Sequence, residues 1–409
     1  MTNVLDVLQE RGFVQQLSDE SALRKRLDRP ITLYNGIDAT ADSLHLGHLV
    51  SVMALAWYQR LGHRPIALLG GGTTMVGDPS GRQSSRPMLS PEEIARNVAA
   101  IRQQLARFLD FEEGRALLIN NADWLLPLHF VDFMRDIGSR FPINEVLRLE
   151  AYQTRLAAGG MTFLELSYVL MQSYDFLRLF QDHDCVLQIG GSDQWGNSIM
   201  GADLIRRVTG GEAFVETSPL ISAAEGEKMG KSAGNAVWLS AERTSPYEYF
   251  QYWRNVDDRS VGRMLAIFTF LPMDEVRRLA ALPGENINHA KEVLAFEATR
   301  LVHGEAEAEK ALEAARALFA PSARTEADVP TTEIERSRLL AGIPVTELFK
   351  EAALVKSANE ARSLIAQRGL SVNGEPVSDA RQLITLDALD AGSLLLARGR
   401  KQHRRIVPR

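Results

Sequence analysis

A single cysteine, Cys185, in 409 residues leaves no partner for an internal disulfide. It stands in the apolar run Cys185-Val186-Leu187-Gln188-Ile189, the setting of a buried cytosolic thiol rather than a reactive one. No apolar run of about 18 residues is present to span a bilayer. Asp6, Glu10, Asp19 and Glu20 argue against a signal or organellar transit peptide, so a cytoplasmic chain with no membrane partner is expected. An overall excess of positive charge is missing too: the net charge of −6 gives no global sign of nucleic-acid binding. No internal repeat of roughly 20 to 50 residues occurs. The glycine-rich stretch from Gly70 to Gly81 meets neither nucleotide fingerprint. Asp78 and Pro79 follow Gly77 where a P-loop needs Lys and Ser or Thr, and no G-x-G-x-x-G is found there.

What is present is a globular composition, 45% apolar and 24% charged, in a chain long enough for two to four domains. Its positive charge is local. From Pro344 to Arg409 there are eleven Lys or Arg against seven Asp or Glu, a net +4 that leaves −10 for the rest. A basic end on an acidic protein suggests a separate partner surface. Before it, the polar stretch 321–332 with Pro321 and Pro330 reads as a linker or exposed loop. From about residue 30 to 225, short apolar runs alternate with helical stretches, the rhythm of a parallel α/β sheet. A helical insertion is expected over about 90–161, and an all-helical region from Ser245 to Ala320.

Three candidate strands run directly into unusual turns. Ile31 to Tyr34 leads to Asn35-Gly36-Ile37-Asp38-Ala39-Thr40, Ile66 to Leu69 to the glycines from Gly70 and on to Asp78, and Val186 to Ile189 to Gly190-Gly191-Ser192-Asp193-Gln194-Trp195. Ligands of open α/β sheets bind beyond the carboxyl ends of strands. After the first turn, Asp42 or Ser43 reads as the N-cap of a helix that carries His45-Leu46-Gly47-His48 on its first turn and stops at Gly62. Such an end attracts phosphate, and a spacing of three puts both imidazoles on one face. A metal pair is the competing reading, but no third ligand accompanies it at useful spacing.

Together with Lys228-Met229-Gly230-Lys231-Ser232, His45-Leu46-Gly47-His48 resembles the two signature motifs of the class I aminoacyl-tRNA synthetases. Gly77-Asp78-Pro79-Ser80-Gly81, Ser167 to Phe176 and Gln188 to Asn197 look like the tyrosyl enzymes of bacterial type, and the resemblance covers essentially the whole chain. It implies a Rossmann-like parallel-sheet catalytic domain over 1–225. A second lysine-motif loop and helical anticodon-arm domain would occupy 226–320, a linker 321–343, and a small α+β RNA-binding domain like ribosomal small-subunit protein four 344–409.

The substrates implied are ATP with accompanying Mg2+, L-tyrosine and its tRNA, with no tightly bound metal. Thr40, His45, Gly47 and His48 would hold ATP from one side and Lys228 and Lys231 from the other, with Arg82 and Arg86 on pyrophosphate. Tyr34 and Asp175 would hydrogen-bond the substrate phenol, while Tyr168, Gln172 and Asp78 hold its ammonium group. Gly36, Asp38, Gly191, Asp193 and Gln194 match positions for adenosine, ribose and substrate, with Gln188 a weaker candidate. Gly230 stands where the common second motif has Ser, and Leu46 where many first motifs have Ile. The five aromatics of Ser245 to Trp253 read as helix core before base-stacking surface. Asn373-Gly374 signals a hairpin, and Arg398, Arg400, Lys401, Arg404 and Arg405 form a basic tail for phosphates. The resemblance further implies a homodimer through the region from Trp124 to Arg148.

Overall fold

Runs of Val, Ile and Leu bounded by glycine turns favour strands, and the computed structural model pairs them into one sheet. Its strands are β1 (Gln16–Leu17), β2 (Thr32–Asp38), β3 (Arg64–Gly70), β4 (Leu117–Asn120), β5 (Cys185–Gly191) and β6 (Phe214–Ser218). The order is β1-β6-β5-β2-β3-β4; the five strands from β6 to β4 are parallel and β1 is antiparallel to β6. Parallel neighbours need crossovers, which helices such as Leu46–Arg60 and Phe163–His183 supply. The α/β, Rossmann-like expectation therefore holds. The structure describes residues 3–80, 88–220, 236–317, 330–390, 392–399 and 402–409. It divides into two units, Met1–Ala308 and Glu309–Arg409.

Chain order reverses beside β2, with β3 and β4 to one side and β5 and β6 to the other. Strand ends part at such a point and leave a crevice. Pairing of β2 with β3 continues to Asp38 opposite Gly70, whereas pairing with β5 stops at Tyr34 opposite Gln188. Beyond that, Asn35 Nδ2 donates to the Ile189 carbonyl at 2.9 Å and ties the parting strands.

The stretch 90–161, expected as a helical insertion, contains the edge strand β4 besides helices such as Pro91–Leu105, Phe130–Asp136 and Glu150–Ala157. Four residues, Leu-Leu-Ile-Asn, are too few for periodicity to separate strand from helix. Pairing with β3 from Ile66 to Leu69 decides the matter. In the helical region, Ser245 and Glu248 form a capping box that starts Pro246–Arg254. Tyr249, Phe250 and Trp253 there are fully buried, so these aromatics are core. Arg11 joins this region to the sheet unit's first long helix. Its guanidinium donates to the Ala266 and Leu271 carbonyls at 2.9 and 2.5 Å and lies 4.0 Å from the Trp57 ring centroid.

In the second unit, helices Val345–Glu351 and Ala358–Ala366 accompany a five-stranded sheet. Asn373 and Gly374 have φ of 51° and 85°, as the hairpin signal requires. Two expectations change. Thr331–Ile334, inside the expected linker, pairs in parallel with Gln402–Pro408, so this β-branched stretch is sheet. Gln402–Pro408 is likewise a strand rather than a tail, with Arg404 and Arg405 half-buried on it. Arg398 donates to the Leu354 carbonyl at 2.9 Å and pairs with Glu360 at 2.9 Å. Arg400 and Lys401 lie outside the described residues. No helix among the described residues is long and apolar enough to cross a membrane.

Arg11→Met is expected to cost about 2–3 kcal/mol, because charged hydrogen bonds to buried carbonyls are lost. Arg277→Ala removes only an exposed pair with Glu10 at 2.6 Å and is expected to cost within about 1 kcal/mol. Urea unfolding of the intact chain compares the two; equal effects would contradict a clamping role for Arg11.

Candidate active site

A cavity of about 450 Å³ opens at the carboxyl ends of β2, β3 and β5. Its wall includes Tyr34, Gly36, Asp38, Thr40, His45, Gly47, His48, Asp78, Tyr168, Gln172, Asp175, Gln188, Gly191, Asp193 and Gln194. Lys228, Gly230, Lys231, Arg82 and Arg86 lie outside the described residues.

At one end stands the histidine turn. The N-cap of helix Leu46–Arg60 is His45 itself, not Asp42 or Ser43. His45 Nδ1 accepts from the Gly47 N–H at 3.0 Å, and His48 Nδ1 accepts from the His45 N–H at 3.2 Å. The imidazole nitrogens thus do the capping work of a Ser or Asp oxygen. Because Nδ1 accepts in both, each neutral ring carries its proton on Nε2. The rings stack with centroids 3.9 Å apart. A Cβ at residue 47 would come within 2.8 Å of the His45 ring, so this close approach requires Gly47. Residues 237–239 dock on the same turn: the Leu239 N–H donates to the Leu44 carbonyl at 2.8 Å and the Leu46 N–H to the Val237 carbonyl at 3.2 Å. The chain just after the second lysine motif is therefore held against the first motif.

At the other end, Tyr168, Gln172 and Asp175 share one face of helix Phe163–His183. Asp175 is 3% exposed. Its Oδ1 accepts from Trp124 Nε1 at 2.8 Å and its Oδ2 from Asn121 Nδ2 at 2.9 Å. Burial pushes its carboxyl up to about 7; the Asn121 and Trp124 donors pull the other way, and the Asp38 charge adds to the rise. The network continues. Asn121 Nδ2 donates to Thr73 Oγ1 at 3.0 Å, Thr73 Oγ1 to Asp38 Oδ1 at 2.7 Å, and the Tyr168 hydroxyl to Asp38 Oδ2 at 3.0 Å. A Cβ at Gly70 would fall 2.3 Å from Asp38 Oδ1, which excludes any side chain there. Three buried polar atoms on this wall, the Tyr34 hydroxyl, Gln172 Oε1 and Gln188 Oε1, have no hydrogen-bond partner among the described residues. Burial, with the Asp175 charge nearby, raises the Tyr34 phenol well above its ordinary value.

Between the two ends, Asp78 Oδ2 accepts from Gln194 Nε2 at 2.8 Å and Oδ1 from the Ser80 N–H at 2.9 Å. Sequence reasoning missed Thr73, Asn121 and Trp124 as parts of this site. The signal was there: Leu117 to Asn120 runs into Asn121-Ala122-Asp123-Trp124, another apolar run ending in a polar turn. Among the described residues, no three His, Cys, Asp or Glu side chains gather to hold a metal ion.

The family model described as tRNA synthetases class I (W and Y) matches residues 25–320. The chain is 50% identical over 407 residues to the tyrosine–tRNA ligase of Clostridium beijerinckii, covering 99% of each. It is 48% identical over 408 residues to that of Clostridium kluyveri, covering 100% of each. Among solved structures, a C-terminally truncated mitochondrial tyrosyl-tRNA synthetase of Aspergillus nidulans matches with a TM-score of 0.71 at 29% identity, over 78% of this chain and 95% of that one. A tryptophanyl-tRNA synthetase of Plasmodium falciparum shares the fold, with a TM-score of 0.55 at 14% identity over 75% of this chain and 84% of its own.

A carboxyl raised by burial stabilises the folded chain below its unfolded value of about 4, and that contribution is lost as pH rises through its folded value of about 7. Asp175→Asn should therefore gain stability relative to the parent as pH rises through this window. Thermal unfolding across pH checks this; a difference that stays constant would contradict the assigned titration.

Proposed function

The chain belongs to the class I tRNA synthetases for tryptophan and tyrosine, and from that premise we propose how its own residues carry the reaction. The activity is that of a tyrosine–tRNA ligase. A tyrosine carboxylate oxygen bonds to the α-phosphorus of ATP as the bond to pyrophosphate breaks. A ribose hydroxyl at the 3′ end of tRNA then attacks the tyrosyl carbonyl, and AMP leaves. The attacking carboxylate is already ionised, so no protein nucleophile is needed. Catalysis rests on positioning and on donors placed where phosphate charge grows.

The observation that carries the residue assignment is the buried pair at the closed end of the cavity. A phenol both donates and accepts. It gives its hydrogen to Asp175, whose oxygens each retain a lone pair, and accepts from the Tyr34 hydroxyl, which has no other partner among the described residues. Phenylalanine would leave the Tyr34 hydroxyl without a partner and Asp175 with only its Asn121 and Trp124 donors, and an indole N–H would still leave Tyr34 without one. Such discrimination by the tyrosyl enzyme is a stock example of a site built to bond a substrate hydroxyl. Asp78, Tyr168 and Gln172 take the ammonium group, the Gln172 Oε1 being buried and without a partner among the described residues. Gln194 holds Asp78 and meets the substrate with it. Gly36, Asp38, Gly191 and Asp193 meet adenosine and ribose, with Gln188 beside them. Thr40, His45, Gly47 and His48 hold the phosphates, the Nε2–H of each imidazole being a donor to anionic oxygen. Lys228, Lys231, Arg82 and Arg86 approach the same phosphates, and Mg2+ arrives with ATP rather than in a protein cage.

The tRNA meets the helical region around 245–320 and the second unit, where net positive charge lies. On that unit Lys356, Arg362 and Arg368 are exposed, while Arg404 and Arg405 are half-buried and Arg398 is held by Glu360. The limits at 225 and 320 divide the catalytic and helical parts, the sheet of the RNA-binding part begins at Thr331 rather than after 343, and residence is cytoplasmic. A homodimer forms through 124–148; Phe130 and Val131 there are 68% and 73% exposed, the behaviour of an apolar face meant for a partner.

Pyrophosphate exchange with both amino acids tests the pocket. Asp175→Ala should cost tyrosine activation about 2–5 kcal/mol, and phenylalanine much less. Tyr34→Phe should narrow the ratio more mildly. If tyrosine stays strongly preferred in folded Asp175→Ala protein, the assignment fails. Truncation after Pro330 should leave tyrosine-dependent exchange nearly intact and greatly weaken charging of tRNA. Undiminished charging at low tRNA concentration would remove the second unit from the reaction.

A further inference from the structure

The turn from Ala39 to His45, which carries the proposed phosphate-binding groups, has few backbone hydrogen bonds of its own. A turn without a regular ladder must be fixed by side chains from elsewhere. Helix Pro91–Leu105 supplies them from one face. Asn97 Nδ2 donates to the Ala39 carbonyl at 2.9 Å. Seven residues on, two helical turns further, Gln104 Oε1 accepts from the Leu44 N–H at 2.9 Å and Gln104 Nε2 donates to the Asp42 carbonyl at 3.3 Å. Ile101, between them, is 1% exposed and lines the cavity. From the opposite side, Thr74 Oγ1 accepts from the Ala39 N–H at 2.8 Å, and the Ser240 N–H donates to Ser43 Oγ at 3.0 Å. Leu44 is fully buried, so its N–H has no recourse to water if Gln104 is lost.

We infer that Gln104, with Asn97, is a positioning residue for the ATP half of the reaction: it sets the turn that aims Thr40 and His45, without touching substrate. This rests on the reading of Thr40 and His45 as phosphate ligands. None of the tyrosine-end groups, Tyr34, Gln172 or Asp175, is bonded to this helix by a side chain described above. The described side-chain bonds of the brace therefore reach the turn from Ala39 to Leu44 and not those three groups.

The test uses the full-length enzyme and three variants: Gln104→Met, which keeps side-chain length and deletes the bonds to Asp42, Ser43 and Leu44, Asn97→Leu at the other brace point, and His45→Ala as a control on the underlying reading. Pyrophosphate exchange gives kcat and the KM for ATP, and equilibrium dialysis gives the Kd for tyrosine. Gln104→Met is expected to lower kcat/KM for ATP by about tenfold or more, while the tyrosine Kd moves by less than about twofold. Asn97→Leu should act in the same direction, and it carries the test if Gln104→Met does not fold. Equal loss of ATP kinetics and tyrosine affinity would mark a merely structural role and overturn the inference. Normal ATP kinetics in both brace variants would overturn it too. If His45→Ala also left exchange unchanged, the phosphate reading itself would fall; if His45→Ala alone were impaired, only the brace would.

Discussion

A carboxylate taken out of water must be met by donors, and Asp175 imposes that requirement on everything around the closed end of the cavity. Its two oxygens are satisfied by Asn121 and Trp124, which fixes the turn after β4. Asn121 in turn holds Thr73 in the turn after β3, and Thr73 holds Asp38 at the end of β2. Three adjacent strands are thereby locked at their carboxyl ends to helix Phe163–His183. Gly70 has to lack a side chain because Asp38 occupies its Cβ position. A buried polar network is worth having only when each member is satisfied. Among the described residues the Tyr34 hydroxyl, Gln172 Oε1 and Gln188 Oε1 nearby have no partner, and the first of them is the one the phenol of the proposed substrate completes.

The two ends of the cavity are built on different principles. The end proposed to hold tyrosine is made of side chains bonded to side chains, buried and laterally braced, as discrimination between similar rings demands. The end proposed to hold phosphate is a helix N-terminus whose cap is an imidazole, where the helix dipole favours anionic oxygen. Such an end needs little chemical identity but accurate placement. That placement comes from helix Pro91–Leu105 on one side and residues 237–240 on the other.

Much of this was legible before any coordinates. The turn that follows Leu69 and the spacing of Tyr168, Gln172 and Asp175 follow from local pattern alone, whereas β2 and β5 run on to Asp38 and Gly191 through residues read as turns, because pairing with their neighbours holds them extended. What escaped was long-range. β4 escaped because three apolar residues and an asparagine inside a helical stretch carry no decisive period, and with it went Asn121 and Trp124, whose role exists only once β4 lies beside β3. His45 as N-cap escaped because Asp42 and Ser43 are better caps in general, yet Gln104 bonds the Asp42 carbonyl, the Ser43 hydroxyl and the Leu44 N–H and holds that stretch outside the helix. The strand Gln402–Pro408 was hidden by its arginines, since charge suggested a tail while pairing with Leu394–Arg398 and Thr331–Ile334 required sheet.

The central claim is that tyrosine binds as a phenol donating to an ionised Asp175 that burial had raised to about 7. Binding must then pull that carboxyl down and release a proton near neutral pH. Isothermal calorimetry of tyrosine binding at about pH 7, repeated in buffers of different ionisation enthalpy, counts the protons directly. The account predicts net release with the parent enzyme and none with Asp175→Asn. Proton uptake, or the same release in both proteins, would contradict it.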